Sequence, residues 1–198
     1  MRRYLPFLTL ILILLVSGSP ALAHVSAGGI VDSYSGLLHP FTEPLHIITL
    51  IGLGLLLTQQ DKSTPPAGWL AFCIASLAGL IVYSLGLTAS VSPALFPLAI
   101  LMGILVAVRT VLPRRFCILL STMAGFALGL DSIGESTGLG KLVITIFSTT
   151  TGLGIALLIV IGWGDYFTRD WQKIGIRVVG SWIAASALLV FALGLKQV

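Results

Sequence analysis

A chain of 198 residues in which 57% are hydrophobic and only 9% charged has too little polar surface to enclose a water-soluble core. Its mean hydropathy of +1.07 and its apolar runs of about 20 residues, enough to cross a hydrocarbon layer of about 30 Å, predict an all-α polytopic membrane protein. The net charge of +4 is no nucleic-acid footprint, because the basic residues follow the bilayer, and no nucleic-acid partner is expected.

Residues 1–23 have the form of an export signal. Arg2 and Arg3 precede the apolar stretch Leu5–Val16, and Ala21-Leu22-Ala23 is a small-residue cleavage site. An uncleaved first helix is the other reading. Cleavage after Ala23 leaves 24–198 as a single six-helix transmembrane domain. It also puts a free α-amine and an imidazole on His24, a bidentate chelate once the amine has lost its proton. The bland reading of His24 is a residue in an exported tail. Residues 24–35 are short, small and polar, as such a tail would be.

The first membrane helix is predicted from Gly36 to Thr58, with a break or kink where Pro44 can neither donate to the Pro40 carbonyl nor avoid it. A helix starting at Pro44 would be about 22 Å long, too short to span. Gly36–Glu43 must therefore enter the membrane as a kinked turn or a re-entrant cap, where protein or a wet cavity satisfies its backbone. Gln59–Pro66 reads as a polar turn. The second helix is Gly68–Leu87, opened by an interfacial Trp69, and the third runs from Pro93 to about Leu112. Arg109, Pro113, Arg114 and Arg115 make a basic turn before the fourth, Phe116–Leu130. An acidic, glycine-rich loop, 131–140, leads to the fifth helix, Lys141–Gly162. Trp163–Lys173 is the longest polar connection, and the sixth helix is about Ile174–Leu195.

With the mature N-terminus exported, Lys62, Arg109, Arg114, Arg115, Arg169, Lys173 and Arg177 fall on the cytoplasmic side, against Lys141 and Lys196 on the other. That asymmetry obeys the positive-inside rule, predicting the plasma (inner) membrane and both termini outside. Trp69, Trp163 and Trp171 would form the inner aromatic belt. Asp61, Asp165 and Asp170 sit among the cytoplasmic basic residues, where solvated pairing accounts for them. Cys73 and Cys117 read as small core residues.

Every histidine then lies on the exported side, together with Asp32, Glu43, Asp131 and Glu135. Ionisable groups cost roughly 2.5–3.5 kcal/mol near the bilayer centre, so their presence there points to a pathway or site. On one continuous helix His39, Glu43 and His46 fall within an arc of about 60°. Two imidazoles and a carboxylate on one stripe suit a transition metal rather than magnesium or calcium. Two readings stay open: a metal site, or groups that cap a helix at the water interface. The hydroxyl cluster Thr145, Ser148, Thr149, Thr150 and Thr151 is read as interhelical or backbone bonding, with a polar path as the alternative.

His39-Pro40-Phe41-Thr42-Glu43-Pro44-Leu45-His46 resembles the His-Pro-x-x-Gly-x-Asp-His pattern that opens the first helix of the HupE/UreJ family. Glu43 stands where that family has glycine, and Leu45 where it has aspartate. Gly125-Phe126-Ala127-Leu128-Gly129-Leu130-Asp131 is similar to its Gly-x-Ala-His-Gly-x-Glu, with Leu128 in place of the histidine and Asp131 in place of the glutamate. The resemblance implies a cleaved signal, a histidine at the mature start, six helices and an association with nickel enzymes, hydrogenase and urease. It identifies a divergent member.

Permeation of a divalent transition metal, nickel or cobalt, is therefore the expected function. His24 would capture the ion, His39, Glu43 and His46 would strip its water, and Asp131 and Glu135 would add oxygens. The alternative is a non-transporting accessory protein that binds metal for a nickel-enzyme partner. Haem ligation by His39 and His46 would need a second chain, since two ligands seven residues apart on one helix cannot take opposite axial positions. No nucleotide-binding motif or nucleophile–base pair is found, so neither an enzyme nor an organic cofactor is expected.

Overall fold

Apolar runs punctuated by proline and basic turns fold as six helices in this computed structural model, which describes residues 37–38, 41–86, 92–132 and 139–194. In chain order they are α1 Pro44–Thr58, α2 Thr64–Ser84, α3 Ser92–Val108, α4 Arg114–Asp131, α5 Leu139–Tyr166 and α6 Asp170–Gly194. No strand occurs among the described residues. By length and composition α2, α5 and α6 can cross a membrane, while α1 and residues 93–108 form shorter apolar helices. Residues 1–23, the predicted signal, lie outside the described residues.

The first helix departs from expectation. It begins at Pro44, and Glu43 is its extended N-cap (φ −97°, ψ 113°). A residue before proline is pushed out of the helical region, and proline itself is tolerated in a first turn. The common face that one continuous helix would give His39, Glu43 and His46 is thus lost at the break expected at Pro44, which separates Glu43, exposed, from His46, buried. The chain ahead of α1 nevertheless lies within the bundle. Leu37 and Leu38 are helical, and a Cβ on Gly152 of α5 would collide with the Leu37 carbonyl. The second helix starts early for a related reason: Pro65 and Pro66 form its first turn, where no backbone donor is needed.

Two close helix pairs frame the bundle. α2 and α4 run in the same direction, with Gly125 against the Phe72 carbonyl and Gly129 against the Ser76 carbonyl. Small residues let such backbones touch where lipid offers helices no hydrophobic reward for associating. α3 and α6 run in opposite directions, with Gly103 against the Gly180 carbonyl. Between these pairs lies α1, nearly wholly enclosed, whose Leu53, Leu56 and Leu57 are fully buried with Met102, Leu128 and Leu157. Trp69 does not sit free at an interface. It is half-buried, and its indole N–H donates to the Gly154 carbonyl across α2 and α5 (2.9 Å). Trp163 and Trp171 are exposed.

The helix ends 58, 64, 108, 114, 166 and 170 gather at one end of the bundle with the described basic residues other than Lys141, hereafter the basic end. Side chains tie it together. Gln59 donates to the Val106 carbonyl (3.1 Å), and Gln60 donates to that of Thr110 (3.1 Å) and accepts from the Leu112 amide (2.8 Å). Arg177 donates through Nε to the Ala107 carbonyl (2.9 Å). Arg109 closes α3 in the left-handed region (φ 58°), where its amide bonds to Val106 and the Thr110 amide to Leu105. A side chain there is strained, whereas glycine is not. Arg109→Gly should therefore stabilise the protein by about 1 kcal/mol, read as a higher melting temperature in detergent, and Arg109→Val should lower it. Lys173 and Asp170 form an exposed ion pair (3.1 Å) at the same end, and both cysteines are free thiols.

Candidate metal centre

His46 is the third residue of α1, just beyond the proline that starts the helix. Its side chain is fully buried, and its Nε2 lies 3.0 Å from Oδ2 of Asp131, which is 24% exposed. Asp131 is the last residue of α4. Beyond it Ser132, buried, turns its hydroxyl back to the Leu128 carbonyl and closes the helix. On α1, Thr49 does the same to the Leu45 carbonyl (2.7 Å), which holds the first turn in register. The pair is thus carried by two helix ends that meet inside the bundle. α4 presents its negative end there, which adds to the carboxylate in attracting a cation.

Helix register gives the depth of the pair. Gly54 lies against Val160, and Thr58 against Gly164, so α1 and α5 run side by side with a constant offset. By that offset His46 is level with Gly152, the middle of the 28-residue α5. The pair therefore sits about 20 Å from the start of α5 at 1.5 Å per residue. The α2–α4 contacts make Asp131 level with Ala78, about 9 Å short of the end of α2. The site is recessed between longer helices. Towards the basic end it is followed by the buried leucines of α1.

A separation of 3.0 Å fits two chemistries. It is the length of an N–H···O hydrogen bond. It is also about the edge of an octahedron whose ligands stand about 2.1 Å from a shared cation. Imidazole nitrogen with one carboxylate oxygen is a donor set for a transition metal rather than for a hard cation.

Of the other predicted site residues, Glu43 is exposed at the mouth of α1. Its carbonyl accepts from the Ile47 amide (3.1 Å), and its side chain makes no capping bond. His24, His39 and Glu135 lie outside the described residues. Among the described residues no group of three or more histidine, cysteine, aspartate or glutamate side chains could hold a metal ion. The described part of the centre is a pair.

The family described as HupE / UreJ protein matches residues 11–190. The chain belongs to the HupE/UreJ family. No match is found among curated proteins or among solved structures. HupE/UreJ proteins are associated with nickel and cobalt transport or with accessory roles, and the family is not a catalytic one. The two segments that resemble HupE/UreJ patterns, 39–46 and 125–131, meet through their last residues. His46 ends the first, Asp131 ends the second, and they touch.

Proposed function

We propose that this protein is a membrane permease for a divalent transition metal, nickel or cobalt, and that His46 and Asp131 form the centre of its cation site. The observation that carries this reading is the buried imidazole in contact with a carboxylate, recessed between the ends of longer helices. An ionisable pair in that position is costly to keep unless a charge passes or binds there. In this reading six helices span the plasma membrane after cleavage at Ala23, and both termini are exported. His24 captures the ion, His39, Glu43 and Glu135 surround the mouth, and the pair strips its last waters. Energy comes from an ion gradient or from a partner protein. Uptake of radioactive nickel by vesicles containing the full chain tests the function. Accumulation inside supports a permease, and surface binding without accumulation removes transport.

The second reading, a non-transporting protein that binds metal for a nickel-enzyme partner, draws on the leucines of α1. Leu53, Leu56 and Leu57 are fully buried between the pair and the basic end. A permease must open this layer during its cycle, whereas a binding protein has no need to.

The topology is testable separately. N-terminal sequencing of the mature protein should begin at His24, and a reporter fused after Val198 should register on the exported side. A cytoplasmic C-terminus would invert the bundle, turning the mouth of the site and the starts of α1 and α5 towards the cytoplasm.

A further inference from the structure

Serine and threonine within an apolar helix ordinarily return their hydroxyl to a carbonyl three or four residues back, because an unbonded hydroxyl away from water is costly. This protein follows that habit at Thr49, Ser121, Thr122, Ser148 and Thr151. Thr149 and Thr150 break it. Thr149 is fully buried, and among the described residues neither its Oγ1 nor that of Thr150 has a hydrogen-bond partner. Two orphaned hydroxyls between two satisfied ones on one helix need a cause.

Their location supplies it. Val160 faces α1, where it touches Gly54. At 100° per residue Thr149 falls within about 20° of Val160, on the stripe turned towards α1. The offset between α1 and α5 puts Thr149 level with Glu43, one turn outward of His46. There α1 has already ended and the Leu37 carbonyl lies against nearby Gly152. The hydroxyl therefore lies about one turn outward of the level of the His46–Asp131 pair, on the face of α5 that meets α1. A hydroxyl whose proton is not committed to its own helix can turn a lone pair of its neutral oxygen towards a partly dehydrated divalent cation, in place of a lost water.

We propose that Thr149 is a cation ligand one turn above the His46–Asp131 pair, its hydroxyl oxygen replacing a water on the incoming metal ion. This rests on the permease reading. It adds a neutral ligand to the imidazoles and carboxylates named from the sequence, where the hydroxyl cluster stood only as an alternative polar path.

The test compares the wild-type chain with Thr149→Val and Thr149→Ser in vesicles, measuring nickel uptake against concentration and thermal unfolding. Valine has the shape of threonine without its hydroxyl, so Thr149→Val should unfold at the same temperature or higher. Its half-saturating nickel concentration should nevertheless rise about tenfold or more, the worth of one bond to a charged partner. Thr149→Ser should keep uptake near wild type. Wild-type uptake with an unchanged Thr149→Val curve overturns this proposal alone, as does a Thr149→Ser as impaired as Thr149→Val. A lower melting temperature for Thr149→Val makes the hydroxyl structural and also overturns it. No uptake by the wild-type chain overturns the permease reading with it.

Discussion

His46→Ala is expected to abolish nickel and cobalt binding while leaving the protein folded. The imidazole is the nitrogen donor of the described pair, and alanine removes it from beside the Asp131 carboxylate. Asp131 is 24% exposed, so water can solvate the carboxylate left behind, and the full cost of an isolated buried charge does not arise. Asp131→Asn keeps the shape and loses the negative charge. It should weaken binding by about 10–100-fold, as removal of a carboxylate partner of a metal-site histidine does. The two substitutions should be strongly non-additive, because each removes half of one site. Calorimetric titration of the four proteins, with melting temperatures taken in parallel, reads both effects.

Gly129→Leu should be the most destabilising single change in the helix frame. A Cβ at that position would overlap the Ser76 carbonyl, which is rigid backbone and cannot swing aside. α2 and α4 would have to separate, losing packing along both helices at a cost of about 3 kcal/mol or more. The damage should reach the metal centre too, since Asp131 is two residues further along α4. Gly129→Ala should already lower the melting temperature appreciably. Gly140→Ala and Gly162→Ala meet no atom within 4 Å. They should be neutral or stabilising by up to about 1 kcal/mol, as expected when alanine replaces glycine on an open helix face. Thermal unfolding of the four variants in one detergent makes the comparison.

The membrane class, the helix order and the basic end were all legible in the sequence, because apolar run length and charge placement are local properties. Helix starts were less so. Pro44 and Pro65 each read as a break or a turn, yet both serve as first-turn residues, since whether proline ends or begins a helix depends on what precedes it. That choice puts Glu43 outside the helix and His46 within it, so the common face that one continuous helix would have given them is lost. Two motif-like segments hint at the juxtaposition of His46 and Asp131, but no local pattern dictates it. It depends on the register of α1 against α4, which glycine contacts elsewhere in the bundle determine. Trp69 looked interfacial because tryptophan commonly is; the Gly154 carbonyl, which no local pattern reveals, draws it inward. Thr149 was visible only as one hydroxyl in a cluster. That its neighbours bond to the helix and it does not is a matter of rotamer, which composition and spacing do not encode.

The central claim is that the recessed pair of His46 and Asp131 holds a transition-metal cation. Isothermal titration of the purified full-length protein with nickel, cobalt and zinc, set beside a His46→Ala, Asp131→Asn double variant, tests it most directly. Saturable binding by the wild type, absent from the folded double variant, is the predicted result. Equal affinity in the two proteins would contradict it and leave His46 and Asp131 as a hydrogen bond that joins α1 to α4.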